Sequence, residues 1–177
     1  GILGDNHRPI GVFEPVWTEY RKMLGAWWTA DGLKKGHGDR HTFPVKFTQP
    51  DHPIAQGMGE SFLATDELYH SVTMGPEAKV IATAFDDPKM RGFGRNEPIV
   101  WTVDYGKGRV FHTTLGHDLT AMYESGFVTV MARGTEWAAT GKVTLPASIP
   151  PEVRKPDPLR ILIVTGGHPH ETTFYSV

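Results

Sequence analysis

Pro98-Ile99-Val100-Trp101-Thr102-Val103 and Arg109-Val110-Phe111-His112-Thr113-Thr114-Leu115 flank the connector Asp104-Tyr105-Gly106-Lys107-Gly108, and together they carry the clearest fold signal in the chain. Both flanks are rich in β-branched and aromatic residues, and a short glycine-bearing connector between two such runs predicts an antiparallel hairpin. Working backward, residues 79–85 predict a strand buried on at least one face. The alternating run at 41–47 predicts a strand at a sheet edge, because Pro44 has no N–H to give to a ladder. Residues 60–69 predict short extended structure. Pro53 keeps His52 out of helical geometry, so Asp51-His52-Pro53-Ile54 turns the chain.

Two helices flank this region. Val16, Tyr20, Met23, Leu24 and Trp27 recur at helical spacing behind Pro15, which predicts a helix over 15–28. Downstream of the hairpin, Asp118 is a candidate cap for a helix on which Tyr123, Phe127, Val130, Gly134 and Trp137 repeat at three and four, with Gly141 as its stop. From Leu145 to Pro158 five of fourteen residues are proline, which reads as a stiff extended linker over 146–159. Beyond it, Arg160-Ile161-Leu162-Ile163-Val164-Thr165 is continuously apolar and runs into Gly166-Gly167. That pattern predicts a parallel strand buried on both faces.

Composition narrows the function classes. A chain of 177 residues, 39% hydrophobic, suits one domain with a real core. Eighteen Lys and Arg balance twenty Asp and Glu, with no basic run to follow a phosphate backbone, so nucleic acid is not the expected partner. Apolar runs fall far short of the roughly 20 residues of a membrane span, so a soluble protein is expected, cytoplasmic or exported. The absence of cysteine excludes disulfides and a thiolate nucleophile. The chain begins Gly-Ile-Leu-Gly rather than with methionine, and we expect its natural N-terminus to lie further upstream.

A set of segments resembles the ThuA-like (trehalose utilisation) family. They are Trp17-Thr18-Glu19-Tyr20, Met23-Leu24-Gly25 with Trp28, His41 with Phe43 and Val45, His52-Pro53-Ile54 and Asp66-Glu67-Leu68-Tyr69. They continue with Glu97-Pro98-Ile99-Val100-Trp101, the Tyr105-Gly106-Lys107-Gly108-Arg109-Val110 turn, Thr114-Leu115-Gly116-His117-Asp118 and Arg133-Gly134-Thr135-Glu136-Trp137-Ala138. Their order matches the C-terminal part of such a domain over 1–145. Residues 160–177, with Ile163-Val164-Thr165-Gly166-Gly167-His168 and His170-Glu171, are similar to the strand that opens the same domain. The order is thus inverted, as in a piece cut across two tandem domains or a permuted variant. The family's intervening elements have no counterpart, which favours the tandem piece.

The resemblance implies an α/β fold of the flavodoxin-like, class I glutamine amidotransferase-like kind: a mainly parallel sheet with flanking helices and an antiparallel hairpin, incomplete or permuted. It also implies carbohydrate catabolism with a small carbohydrate as partner, and a homo-oligomeric or tandem-domain neighbour. Without cysteine, amidotransferase chemistry is excluded. What remains is acid–base or metal-assisted hydrolysis or elimination at a glycoside, an oxidised (keto) glycoside included; the alternative is a non-catalytic carbohydrate-binding or assembly module.

Imidazoles and carboxylates at strand ends suit that chemistry. His117, His168 and Glu171 are the catalytic candidates, and His168 with His170 the candidate ligands of a divalent metal such as zinc, a solvated turn being the alternative for that loop. His41, Glu67, Tyr69, Trp28 and Asp118 are the candidate substrate contacts. Asp66 and Glu67 point in opposite directions in an extended chain, whereas Glu67 and Tyr69 share a face. Trp101 and Trp137 belong to the core, leaving Trp27 and Trp28 at a helix end as tryptophans able to reach a sugar ring.

Overall fold

The structure is a computed structural model and describes residues 18–28 and 36–151. Helix α1 (Thr18–Leu24) is short. It stops because Gly25 adopts φ +70°, its N–H bonding Arg21 O at 2.9 Å. The chain then enters strand β1 (Ala26–Trp28), so Trp27 and Trp28 stand on a strand and not on the end of a helix running to residue 28.

Five strands form the main sheet: β3 (His41–Phe47), β4 (Ser61–Asp66), β7 (Ala78–Asp86), β8 (Arg95–Tyr105) and β9 (Gly108–Thr113), in the order β4-β3-β7-β8-β9. Two small ribbons complete the strands. Strand β1 pairs with β6 (Val72–Met74), and β2 (Gly36–His37) with β5 (Tyr69–His70). Helices α2 (Leu119–Met122) and α3 (Ser125–Thr140) follow β9. The single helix expected after Asp118 is therefore two. Asp118 does cap α2 through a 2.9 Å bond from Ala121 N, and Gly141 at φ +77° ends α3.

The hairpin is formed as predicted: Val100 faces Thr113, and Tyr105 faces Gly108 across a turn of Gly106 and Lys107. Every registered strand pair among the described residues is antiparallel. This overturns the mainly parallel, flavodoxin-like sheet. Parallel neighbours need a crossover of about a dozen residues or more, whereas β7, β8 and β9 follow one another through short turns. The only run with a doubly buried, parallel-type pattern, 160–165, lies outside the described residues.

The edge assignment of residues 41–47 is also corrected, since β3 lies between β4 and β7. Pro44 is tolerated inside the sheet because the β3–β7 register covers only Val45 to Phe47 and leaves position 44 unpaired on that side.

The sheet is apolar on both faces. Ile81, Ala82, Ile99 and Val100 pack with Val130 and Phe127 of α3, while Trp101 and Val103 pack with Ala26, Val72 and Met74 of the β1–β6 ribbon. Trp101 and Trp137 are buried, as expected. The Trp101 indole satisfies the last turn of α1, donating from Nε1 to Leu24 O at 2.8 Å. Arg133, 4% exposed, donates to Pro53 O, Ile54 O, Gln56 O and Leu145 O, fastening the 53–56 turn and the chain after α3 to one side chain. The proline-rich stretch, as far as Ile149, stays bound to α3, with Ile149 N donating to Thr129 Oγ1 at 2.9 Å.

Candidate functional site

The segment from Asp66 to Ser71 links the sheet edge to the ribbons. Leu68 is fully buried and anchors it. With Leu68 turned into the core, Glu67 and Tyr69 are turned together towards the loop after β9, as their spacing predicts. The β2–β5 register places His37 opposite Tyr69.

Asp66, 1% exposed, holds that loop. Its Oδ2 accepts from Gly116 N at 2.6 Å, and its Oδ1 from His117 N at 3.3 Å and Glu67 N at 2.8 Å. Burial pushes its carboxyl above the ordinary range, partly offset by these three backbone donors. Gly116 sits at φ +98°, and a Cβ there would lie 2.8 Å from the Phe127 ring, so the turn into His117 requires glycine.

His117 and His37 converge on Glu67. Its Oε2 lies 3.0 Å from His117 Nδ1 and 3.2 Å from His37 Nε2. These are ion-pair distances approached off the ring N–H axes, and the buried oxygen makes no hydrogen bond. His37 Nδ1 is 2.8 Å from Gly38 O; a carbonyl only accepts, so this nitrogen carries a proton. The Tyr69 hydroxyl is 3.3 Å from His117 Nδ1. Burial first, then the Glu67 and Asp66 charges, push the Tyr69 phenol up, so it keeps its proton at neutral pH.

His117 Nδ1 thus lies between a carboxylate and a phenol, and Nε2 is across the ring from both. Neutral with its proton on Nδ1, the ring presents Nε2 as a base; protonated on both nitrogens, it presents Nε2–H as an acid. Trp28 stacks beside Tyr69 at 6.1 Å between centroids, its Nε1 donating to His70 O at 3.0 Å.

Of the candidates from sequence, Glu67, Tyr69, Trp28 and His117 come together. Asp118 is adjacent, bound to the Arg40 guanidinium and to the N-terminus of α2. His41 stands opposite Asp66 in the β3–β4 register, and its side chain contacts Asp39 O, at 2.7 Å from Nδ1, and the Phe43 ring. His168, His170 and Glu171 lie outside the described residues. Two participants were missed. His37 sits in a glycine-rich loop where no periodicity marks it, and Asp66 acts on backbone N–H groups that no motif displays. Beneath them, His70 and Asp86 form a buried pair, Nδ1 to Oδ2 at 3.2 Å. Among the described residues no group of three or more His, Cys, Asp and Glu has the arrangement of a metal centre.

The described residues thus form an antiparallel sheet that carries a histidine–carboxylate–tyrosine cluster beside a tryptophan. Residues 7–138 match the ThuA family, described as trehalose utilisation, and the chain belongs to that family. A ThuA-like protein of known structure from Parabacteroides merdae is 34% identical, with a TM-score of 0.65 over 73% of this chain and 57% of its own. Another from Bacteroides uniformis, 17% identical with a TM-score of 0.50, covers 72% of this chain and 55% of its own, and shows likeness of fold alone. The chain therefore spans little more than half the length of these relatives. No curated protein matches it. No described helix is long and apolar enough to cross a membrane.

Proposed function

We propose that the chain contributes a carbohydrate-processing site in which His117 is the acid or base for hydrolysis or elimination at a glycosidic carbon. The placing of His117 Nδ1 between the Glu67 carboxylate and the Tyr69 hydroxyl carries this reading, because a carboxylate beside Nδ1 suits a proton there and leaves Nε2 to take or return one. Trp28 and Tyr69 offer aromatic surface to the apolar face of a sugar ring. His37 adds a second imidazole at the shared carboxylate. The histidines beyond residue 165 belong to the same proposal, as further acid–base groups or ligands of a divalent metal.

His117→Ala in the protein bearing this chain is expected to lower turnover of an oxidised or ordinary disaccharide by about 100-fold or more, with a smaller change in sugar affinity by isothermal titration. Unchanged turnover overturns the assignment. The second reading, a binding or assembly module, draws on the stacked Trp28 and Tyr69 rings, which serve sugar binding without chemistry. Sugar binding without product in the wild type selects it.

A further inference from the structure

His37 lies almost as close to the shared carboxylate as His117 does, yet the acid–base reading gives it no role of its own. Its backbone is fixed by its neighbours. Strand β2 sets it opposite Tyr69; the next residue, Gly38, donates its N–H to Leu68 O at 3.1 Å, and Asp39 N donates to Met90 O at 2.8 Å. A Cβ on Gly38 would lie 2.4 Å from Met90 O, so the loop packs that closely only with glycine.

The ring is fixed in turn. Its Nδ1 gives its proton to Gly38 O at 2.8 Å, and it sits beside the Tyr69 ring with centroids 5.5 Å apart. Only Nε2 remains, and it stands 3.2 Å from Glu67 Oε2. There it offers a lone pair or, in the imidazolium, a second N–H. Of the two only the N–H attracts a carboxylate oxygen, and a charge contact tolerates the off-axis approach. With both nitrogens turned to the protein, His37 has none to offer a substrate, so its action is on Glu67.

Glu67 is a residue that needs holding. Its Oε2 is buried without a hydrogen bond, a position that is unfavourable for a carboxylate unless opposite charge is near. His117 Nδ1 also has a second neighbour. The Tyr69 hydroxyl, 3.3 Å away, can donate to Nδ1, and the neutral ring then carries its proton on Nε2. The place of the Glu67 carboxylate therefore selects which nitrogen of His117 is the base.

We infer that His37 is a positioning residue, which keeps the Glu67 carboxylate beside His117 Nδ1 so that the neutral His117 ring holds its proton there and leaves Nε2 free. Its effect on turnover rests on the His117 reading above, while its effect on the His117 ring can be measured without a substrate.

The experiment is nitrogen NMR of the His117 ring in the protein bearing this chain, at a pH where that ring is neutral, in wild type, His37→Phe and His37→Gln. Turnover of trehalose, oxidised and ordinary, is measured alongside. Phe keeps a flat ring beside Tyr69 and loses both nitrogens; Gln puts a neutral N–H near the place of Nε2. The His37 side chain is 36% exposed, and both variants are expected to melt near the wild type. The Nδ1–H form is expected in wild type and His37→Gln, with a shift towards Nε2–H in His37→Phe. In His37→Phe kcat is expected to fall about tenfold with KM unchanged, and His37→Gln to recover most of that loss.

A His117 ring that neither variant alters, or equal losses in His37→Phe and His37→Gln, overturns the inference and leaves the His117 reading standing. A melting temperature far below wild type in His37→Phe makes His37 a structural residue and overturns it too. A tautomer shift in His37→Phe together with unchanged turnover in His117→Ala supports the positioning role and overturns the His117 reading instead.

Discussion

The centre of the sheet is buried and the segment from Glu67 to Ser71 largely so, yet they are built on opposite terms. In β7 and β8, Ile81, Ala82, Ile99 and Val100 are fully excluded from water and pack into one apolar cluster. In the segment, Glu67 Oε2, His70 Nδ1 and Ser71 Oγ are buried without hydrogen-bond partners, and Asp86 Oδ1 beside His70 shares that condition. One region is stabilised by burial; the other is costly in isolation and persists because the first is strong. Most of that cost falls in or beside the one short stretch on which the proposed site is built.

Three measurements can break or sharpen that contrast. The largest effect is expected for Ile81→Ala, which removes a fully buried side chain from the sheet and is expected to cost about 2–5 kcal/mol by denaturant unfolding. A loss below about 1 kcal/mol there contradicts the idea that this region carries the stability.

An intermediate effect is expected from acid. His112 packs 4.2 Å from the Trp101 ring, and burial lowers its pKa to about 4. A folded-state pKa below the unfolded value of about 6.5 gives a contribution that is complete above 6.5 and is lost as pH falls towards 4. The loss is on the order of 2 kcal/mol, allowing for the ring's partial exposure. His112→Phe is expected to flatten stability over that window, measured by urea unfolding at several pH values.

The smallest effect on stability is expected from Glu67→Gln. Its shape is kept and the carboxylate oxygen replaced makes no hydrogen bond, so the change should be under about 1 kcal/mol, while turnover falls together with that of His117→Ala. A loss as large as that of Ile81→Ala would make Glu67 a structural residue.

The hairpin of β8 and β9 was legible because its signal is local: β-branched runs and a glycine turn encode it within twenty residues. The glycine stop at Gly141 and the Asp118 cap were legible for the same reason. The sheet class was not. A resemblance that covers part of a domain brings the architecture of the whole, and the one parallel-type run lies beyond residue 151. The helix over 15–28 failed at Gly25, where helical spacing continues in the sequence but the backbone turns left-handed and hands the tryptophans to a ribbon. At the site, Glu67, Tyr69 and His117 could be named from their residue types and strand-end positions. His37 could not, since only the two-residue ladder with β5 brings it near, and neither could Asp66, whose partners are main-chain groups.

Asp66 has one more consequence. Its carboxylate joins Glu67 N on one side to Gly116 N and His117 N on the other, across about fifty positions of chain. Strands β5 to β9 come between, and the three of them in the main sheet, β7, β8 and β9, must be in place before that bridge can close. Assembly of the His117 cluster is thus a report that the sheet is complete. A partly folded or interrupted chain has the same side chains in solution but holds them in no common arrangement.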